Sequence, residues 1–319
     1  VEIFPSRKIA GTALWISAVC LLLSIPPLAR QRALWLVPAV WFTGGGVFIL
    51  NLRKYMKRRS IQKRGLSPEL VDVLVEKVSY YGALCPEEKR EYETQIAVFL
   101  NEHKITGVAG VEVTPLVQVL VAATAVRLVF RRPAWEFHDF GEILIYPGAF
   151  TTDGTYSVKA SNTEAAGMVH SQGGVILSLP HLLRSFEFDN DGFNVGYHEF
   201  AHVLDGVRPD GIPGELDLGS YRPWVSVMQK EFERVHRGRS FLRAYAGTNP
   251  AEFFACAVEY FFEKPQQMME KSPELYNQLS RFFNQHPACC PCASPMTPES
   301  TEGCLSCTED NPPQASSPR

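Results

Sequence analysis

Two long uncharged stretches open the chain, and any fold it adopts must accommodate them. Ile9 to Leu28 runs twenty residues without a charge and Ala33 to Leu50 another eighteen, joined by a link that carries Arg30 and Arg32. A helix needs about 20 predominantly apolar residues to cross a bilayer, so each stretch is close to spanning length. A cleaved signal peptide is the alternative for the first, but the second follows almost at once with no convincing small-residue cleavage site between them. The reading is a transmembrane helical hairpin, with membrane contact through residues 9–50. Seven basic residues from Arg53 to Arg64 outnumber the two in the link, which puts the link outside and the rest of the chain in the cytoplasm.

Charge divides the chain at the same place. Eleven Lys and Arg against the single acid Glu2 give residues 1–64 a net charge of +10, so with the whole chain at −3 the remainder carries −13. An acidic body argues against nucleic acid as its partner, and the basic run after the hairpin reads as a topology signal facing anionic headgroups. Of the eight cysteines, Cys20 lies in an apolar stretch, Cys85 and Cys256 are isolated and five cluster near the end. That is not a secreted disulfide framework and fits a reducing compartment.

Three regions follow: a two-helix anchor with its basic flank (1–64), a folded domain (65–286) and a tail (287–319) rich in Pro, Ser, Thr, Cys and Glu that cannot bury enough surface to fold. Within the domain, Leu70, Val71, Leu74, Val75 and Val78 predict a helix over Ser67 to Tyr81, and Pro86 opens another to about Glu102. Leu116 to Phe130, apolar almost all round but too short to span lipid, predicts a buried core helix. Glu142 to Tyr146 and Gly174 to Leu179, each ended by turn residues, predict strands, with a hairpin or loop in the polar stretch 151–173. Helical patterns dominate from there to about residue 286. The fold class is α+β, mostly helical with a small sheet.

The segment VGYHEFAHVLD, residues 195–205, contains His-Glu-x-x-His. Positions four apart on a helix share a face, so His198 and His202 can bind one metal ion while Glu199 beside them reaches a water on it as general base. Asp189 or Asp191 would cap this helix, Gly206 would stop it, and Asp205 is a candidate to orient a ligand histidine. Zinc is the expected ion, since it accepts imidazole and carboxylate with an open position for water. Two solvent-facing histidines on an ordinary helix are the bland alternative. A third ligand would come from a following helix, capped by Asn249 with Pro250 in its first position, which offers Glu252 and, seven residues on, Glu259. Glu252 is also placed to cap its own helix, and spacing does not separate the two acids.

Five segments resemble the Mlc titration factor A metallopeptidases: ITGVAGVEVT at 105–114, EILIYPGAF at 142–150, VILSLP at 175–180, YHEFAHVLD at 197–205 and YAGTNPAEFFACAVEYFFEKP at 245–265. The likeness covers about residues 68 to 286. It implies a zincin-like domain of gluzincin type with His198, His202 and Glu252 as metal ligands, Glu199 as base and Tyr245 assisting at the metal. It also implies aminopeptidase-like or carboxypeptidase-like action on short peptides, with peptide or protein as substrate. Such an anchored enzyme would sit in a bacterial inner membrane with its catalytic domain facing the cytoplasm.

Two features depart from that family pattern. One is the hairpin. The other is the tail, where Cys289-x-x-Cys292 and Cys304-x-x-Cys307 flank eleven residues, with Cys290 spare. Paired units of this kind resemble a second, structural zinc site, although the usual gap is about 15–20 residues. A strand at 174–179 just before the histidine helix suggests a sheet edge that takes an extended substrate. The competing function is a membrane-bound regulatory protein that captures a cytoplasmic partner such as a transcription repressor, with zinc mainly structural. No motif specifies that partner.

Overall fold

The structure is a computed structural model, and it describes residues 6–30, 36–132, 135–137, 141–151, 156–157, 164–165, 167–169, 174–205 and 218–288. The chain divides into two compact units, Val1–Leu66 and Ser67–Arg319. The first holds helices α1 (Ser6–Arg30) and α2 (Leu36–Arg64). They pack closely where Gly44 meets Cys20, since a Cβ at Gly44 would stand 2.5 Å from the Cys20 sulfur. Elsewhere Leu14, Trp15, Leu22, Phe42 and Leu50 are exposed. Among the described residues no helix is long and apolar enough to cross a membrane.

The second unit begins with α3 (Pro68–Lys77), α4 (Ser79–Ala83) and α5 (Pro86–Glu102). The pattern over Ser67–Tyr81 predicts one helix, but the backbone breaks at Val78, whose φ of −112° and ψ of 92° are extended. A β-branched residue leaves a helix at low cost, and Val78 buries its side chain by doing so. Next come β1 (Ile105–Gly107) and α6 (Pro115–Val129), capped by Thr114, whose hydroxyl accepts from the Val117 N–H. As its composition predicts, α6 is buried from Val119 through Val129 and forms the middle of the core. Tyr92 of α5 donates its hydroxyl to Ala123 O at 2.8 Å, and its ring meets Phe130 edge-on.

Six strands follow α6: β2 (Ile143–Tyr146), β3 (Ala149–Thr151), β4 (Tyr156–Ser157), β5 (Glu164–Ala165), β6 (Gly167–Val169) and β7 (Val175–Ser178). The main sheet has the order β1-β2-β7-β6. Its first three strands are parallel, with Ile105 opposite Ile143 and Ile143 opposite Val175, and β6 runs antiparallel along β7 with Met168 opposite Ile176. A second sheet, β4-β3-β5, occupies part of the stretch where sequence predicts a hairpin or loop. The strand expected to offer an edge, Gly174 to Leu179, is therefore interior. As β7 it is paired on both sides, and the main sheet's edge strand beside the histidine helix is β6.

The remaining elements are helical: α7 (Leu179–Glu187), α8 (Val195–Asp205), α9 (Leu218–His236), a 3-10 turn at Ala244–Gly247, α10 (Pro250–Glu263), α11 (Pro265–Lys271) and α12 (Pro273–Phe283). Proline enters the first turn of α10, α11 and α12, where its missing N–H costs no hydrogen bond. The α+β class with a small sheet holds. Helix α8 lies between α6 and the sheet, close enough to α6 that a Cβ at Gly196 would sit 2.6 Å from Thr124 Cγ2.

Candidate metal centre

Helix α8 is started by a residue other than the two expected. Asn194, not Asp189 or Asp191, caps it: the Asn194 side-chain oxygen accepts from Tyr197 N at 3.0 Å. Asp191 instead accepts from Phe193 N at 2.8 Å, just ahead of the helix and beside Gly192, which has φ +81°. The cap is anchored from behind, because Asn194 also donates its amide to Glu263 Oε1 at 3.0 Å and its backbone N–H to Glu259 Oε2 at 2.8 Å. The start of α8 is thereby tied to α10.

One turn into α8, His198 and His202 turn their Nε2 atoms toward one another, 3.2 Å apart. On α10, the Asn249 side chain accepts the Glu252 N–H at 2.9 Å, so the cap needs nothing from the Glu252 carboxylate. That carboxylate turns to the histidines, with Oε2 3.0 Å from His198 Nε2 and 3.6 Å from His202 Nε2. Two ring nitrogens this close in a partly buried cleft repel unless a proton or a cation lies between them. The three donor atoms fall within 4.8 Å of one another and suit a divalent ion. Burial opposes ionisation of Glu252, yet hydrogen bonds from His198 and His202 hold its pKa far below the carboxylate range.

Glu199, next to His198 in sequence, is buried and passes against Gly167 of β6. A Cβ on Gly167 would come 2.2 Å from its Oε1 and 2.4 Å from its Cγ, so the edge strand carries glycine where this side chain passes. Burial pushes the Glu199 pKa up to about 8, His198 pulls against that, and the negative charges of Glu252 and Glu259 add to it. Tyr245, on the 3-10 turn, is half exposed, and its ring centroid is 6.1 Å from that of His198. Burial and then the Glu252 carboxylate raise its hydroxyl to about 12, so it remains a hydrogen-bond donor through the neutral range.

The other acid weighed as a ligand has a different position. Glu259 reaches the far side of His198, with Oε1 2.5 Å from Nδ1. Arg243 grips both oxygens of that carboxylate, at 2.5 and 2.8 Å. Cys256 also stands near, so that His198, Cys256 and Glu259 form a second cluster of ligand atoms within 4.8 Å. The guanidinium already neutralises that cluster and opposes a cation there. Nothing in the sequence pattern marks Arg243; Glu259 is visible only through its helical spacing from Glu252. Asp205 is buried at the end of α8, and the group that meets His198 Nδ1 is Glu259. The four tail cysteines expected as a second zinc site, Cys289, Cys292, Cys304 and Cys307, lie outside the described residues, as does Gly206.

A helix bearing His-Glu-x-x-His beside the edge of a small mixed sheet, met by a carboxylate from a later helix, defines a metallopeptidase-type protein. Residues 52–284 match the model of the glucose-regulated metallo-peptidase M90 family. The chain belongs to that family. It is 32% identical over 224 residues to the Mlc titration factor A of Klebsiella pneumoniae strain 342, covering 64% of this chain and 82% of that protein. The Serratia proteamaculans protein of the same name is 30% identical over 222 residues, covering 64% and 84%. An uncharacterised protein of Synechocystis is 28% identical over 244 residues, covering 72% and 89%.

Proposed function

We propose that the chain is a zinc-dependent peptidase whose metal is held by His198, His202 and Glu252. The observation that carries this is the convergence of two imidazole nitrogens and one carboxylate oxygen from two separate helices. Zinc bound there would supply Lewis acidity, polarising a peptide carbonyl and lowering the pKa of water toward about 7.

The chain's own residues account for the proton movements. Glu199 is the general base: its carboxylate takes a proton from the attacking water and returns it to the leaving amine. Its raised pKa comes down when positive charge sits on the three donors beside it, which leaves it ionised near neutrality. Tyr245 keeps its proton and donates a hydrogen bond to the oxygen that gains charge as the peptide carbon becomes tetrahedral. Short peptides, attacked in aminopeptidase-like or carboxypeptidase-like fashion, are the proposed substrates.

Replacing Glu199 by Gln removes the base and keeps the three donors. The purified full chain is expected to contain one zinc and to hydrolyse peptides, and Glu199→Gln to retain the zinc while losing at least about 10²-fold in kcat. Unchanged turnover in that variant, or no zinc in the wild type, would overturn the assignment.

The relatives' name of titration factor favours a second reading, in which the protein captures a regulatory partner such as a repressor and zinc only holds the site together. There Glu199→Gln would leave the cellular effect intact. Membrane anchoring through residues 9–50 is proposed alongside either reading, on the strength of their uncharged stretches and the exposed Trp15, Leu22 and Phe42. It places the domain on the cytoplasmic face of a bacterial inner membrane. Recovery of the full chain in the membrane fraction, and its release when residues 1–66 are deleted, tests it.

A further inference from the structure

Glu259 is an expensive residue to keep where it is. It is fully buried on α10, seven residues beyond Glu252, and the peptidase chemistry described above makes no use of it. A lone carboxylate in such surroundings would be costly, yet every contact recorded for it is charge-assisted or from a backbone N–H. Arg243 binds both of its oxygens, at 2.5 Å to Oε1 and 2.8 Å to Oε2. The Asn194 N–H, at the cap of α8, donates to Oε2 at 2.8 Å. What remains is directed at one group, since Oε1 lies 2.5 Å from His198 Nδ1.

A carboxylate accepts and never donates while ionised, so this contact keeps a proton on Nδ1, and the proton that Nε2 shares with Glu252 is the one a metal ion would displace. Nε2 is the atom that faces Glu252 and His202. The Arg243 end of the network is anchored in turn: its guanidinium stacks 5.0 Å from the Phe193 ring and lies 5.7 Å from that of Tyr245.

We propose that Glu259, clamped by Arg243 and the Asn194 N–H, is a positioning residue that fixes the tautomer and ring orientation of His198 so that Nε2 is presented for metal. A carboxylate behind a ligand imidazole also makes the ring more basic, and loss of such a partner typically weakens metal affinity about 10–100-fold. Arg243 is part of the device because its two hydrogen bonds aim the Glu259 carboxylate. The proposal rests on the metal-site reading above, but its Nδ1–H arm stands without a metal.

The test uses the full chain and two variants, Glu259→Ala and Glu259→Gln. The first readout is zinc affinity, by competition with a chromophoric chelator. The second is the ¹⁵N and N–H spectrum of the His198 ring in metal-free protein, assigned by comparison with His198→Gln. Thermal unfolding of each metal-free variant reports on folding.

Wild type is expected to show a strongly hydrogen-bonded Nδ1–H proton on His198. Glu259→Ala should lose that signal and bind zinc about 10–100-fold more weakly, and Glu259→Gln should fall between. Should Glu259→Ala lack a cooperative unfolding transition, the same two readouts on Glu259→Gln decide. Wild-type zinc affinity in the folded variants overturns the proposal, and so does an unchanged Nδ1–H signal of His198, whatever the affinity. If the wild type binds no zinc, the peptidase reading fails, and the Nδ1–H comparison still tests Glu259 alone.

Discussion

Tyr245 and Glu263 make opposite uses of a raised pKa. At Tyr245 the shift preserves a donor: the hydroxyl is pushed up to about 12, and its ring stands 6.1 Å from that of His198. Tyr245→Phe deletes the donor together with its hydrogen bond to Glu252, and kcat is expected to fall about 10²–10³-fold, the usual cost of removing one oxyanion donor. Zinc affinity should be unchanged, and steady-state kinetics beside a chelator titration checks both. Glu263 is buried, which lifts its pKa to about 8; Asn194 works against the shift, while Asp191, Asp189 and Glu259 add to it. Between about 4.5, the unshifted value, and 8, the native state holds this proton and the unfolded chain does not. Stability contributed by Glu263 is thus fully present below the lower value and declines as pH rises through the window. Glu263→Gln should flatten that decline, leaving the variant the more stable relative to wild type at pH 8 by on the order of 3 kcal/mol. Urea unfolding at pH 5 and pH 8 measures it.

Helix α8 works because its neighbours crowd it. On one side Gly167 of β6 leaves room for the Glu199 side chain, and on another Gly196 lets α8 settle against Thr124 of α6. A methyl at position 196 would stand 2.6 Å from both Thr124 Oγ1 and Cγ2. Gly196→Ala gains helix propensity but overpacks the contact, and the net cost is expected at about 1–3 kcal/mol. Thr124→Ala removes the opposing atoms, so the double variant should recover most of that loss. Simple additivity of the two changes in a double-mutant cycle would contradict the packing argument. The ties from Asn194 to Glu259 and Glu263 hold α8 to α10 by side chains as well, so a shift in one helix is passed to the other.

Every residue assigned to the centre comes from the unit that begins at Ser67. A chain lacking residues 1–66 is expected to unfold cooperatively and to bind zinc with unchanged affinity. A loss of more than tenfold would show that the first unit contributes to the site. Because the donors belong to separate helices, bound ion stabilises the native fold over the unfolded chain. With zinc at about 100 times its Kd, chelation should remove about 2.7 kcal/mol of stability and lower the unfolding midpoint accordingly.

The chemistry carried by short-range spacing was readable along the chain. His198 and His202 share a helix face by their separation alone, Asn249 and Pro250 announce the start of α10, and the apolar run of α6 marks the core, because helical period and capping are local properties. Other features depend on distances between segments. The choice between Glu252 and Glu259 rested on which side of His198 each acid approaches, a matter of how α10 lies across α8. Arg243 carries no motif, and β6 became the edge strand through a pairing that short strands of two to four residues do not announce. Those are properties of packing between segments far apart in the chain, and local periodicity holds no record of them.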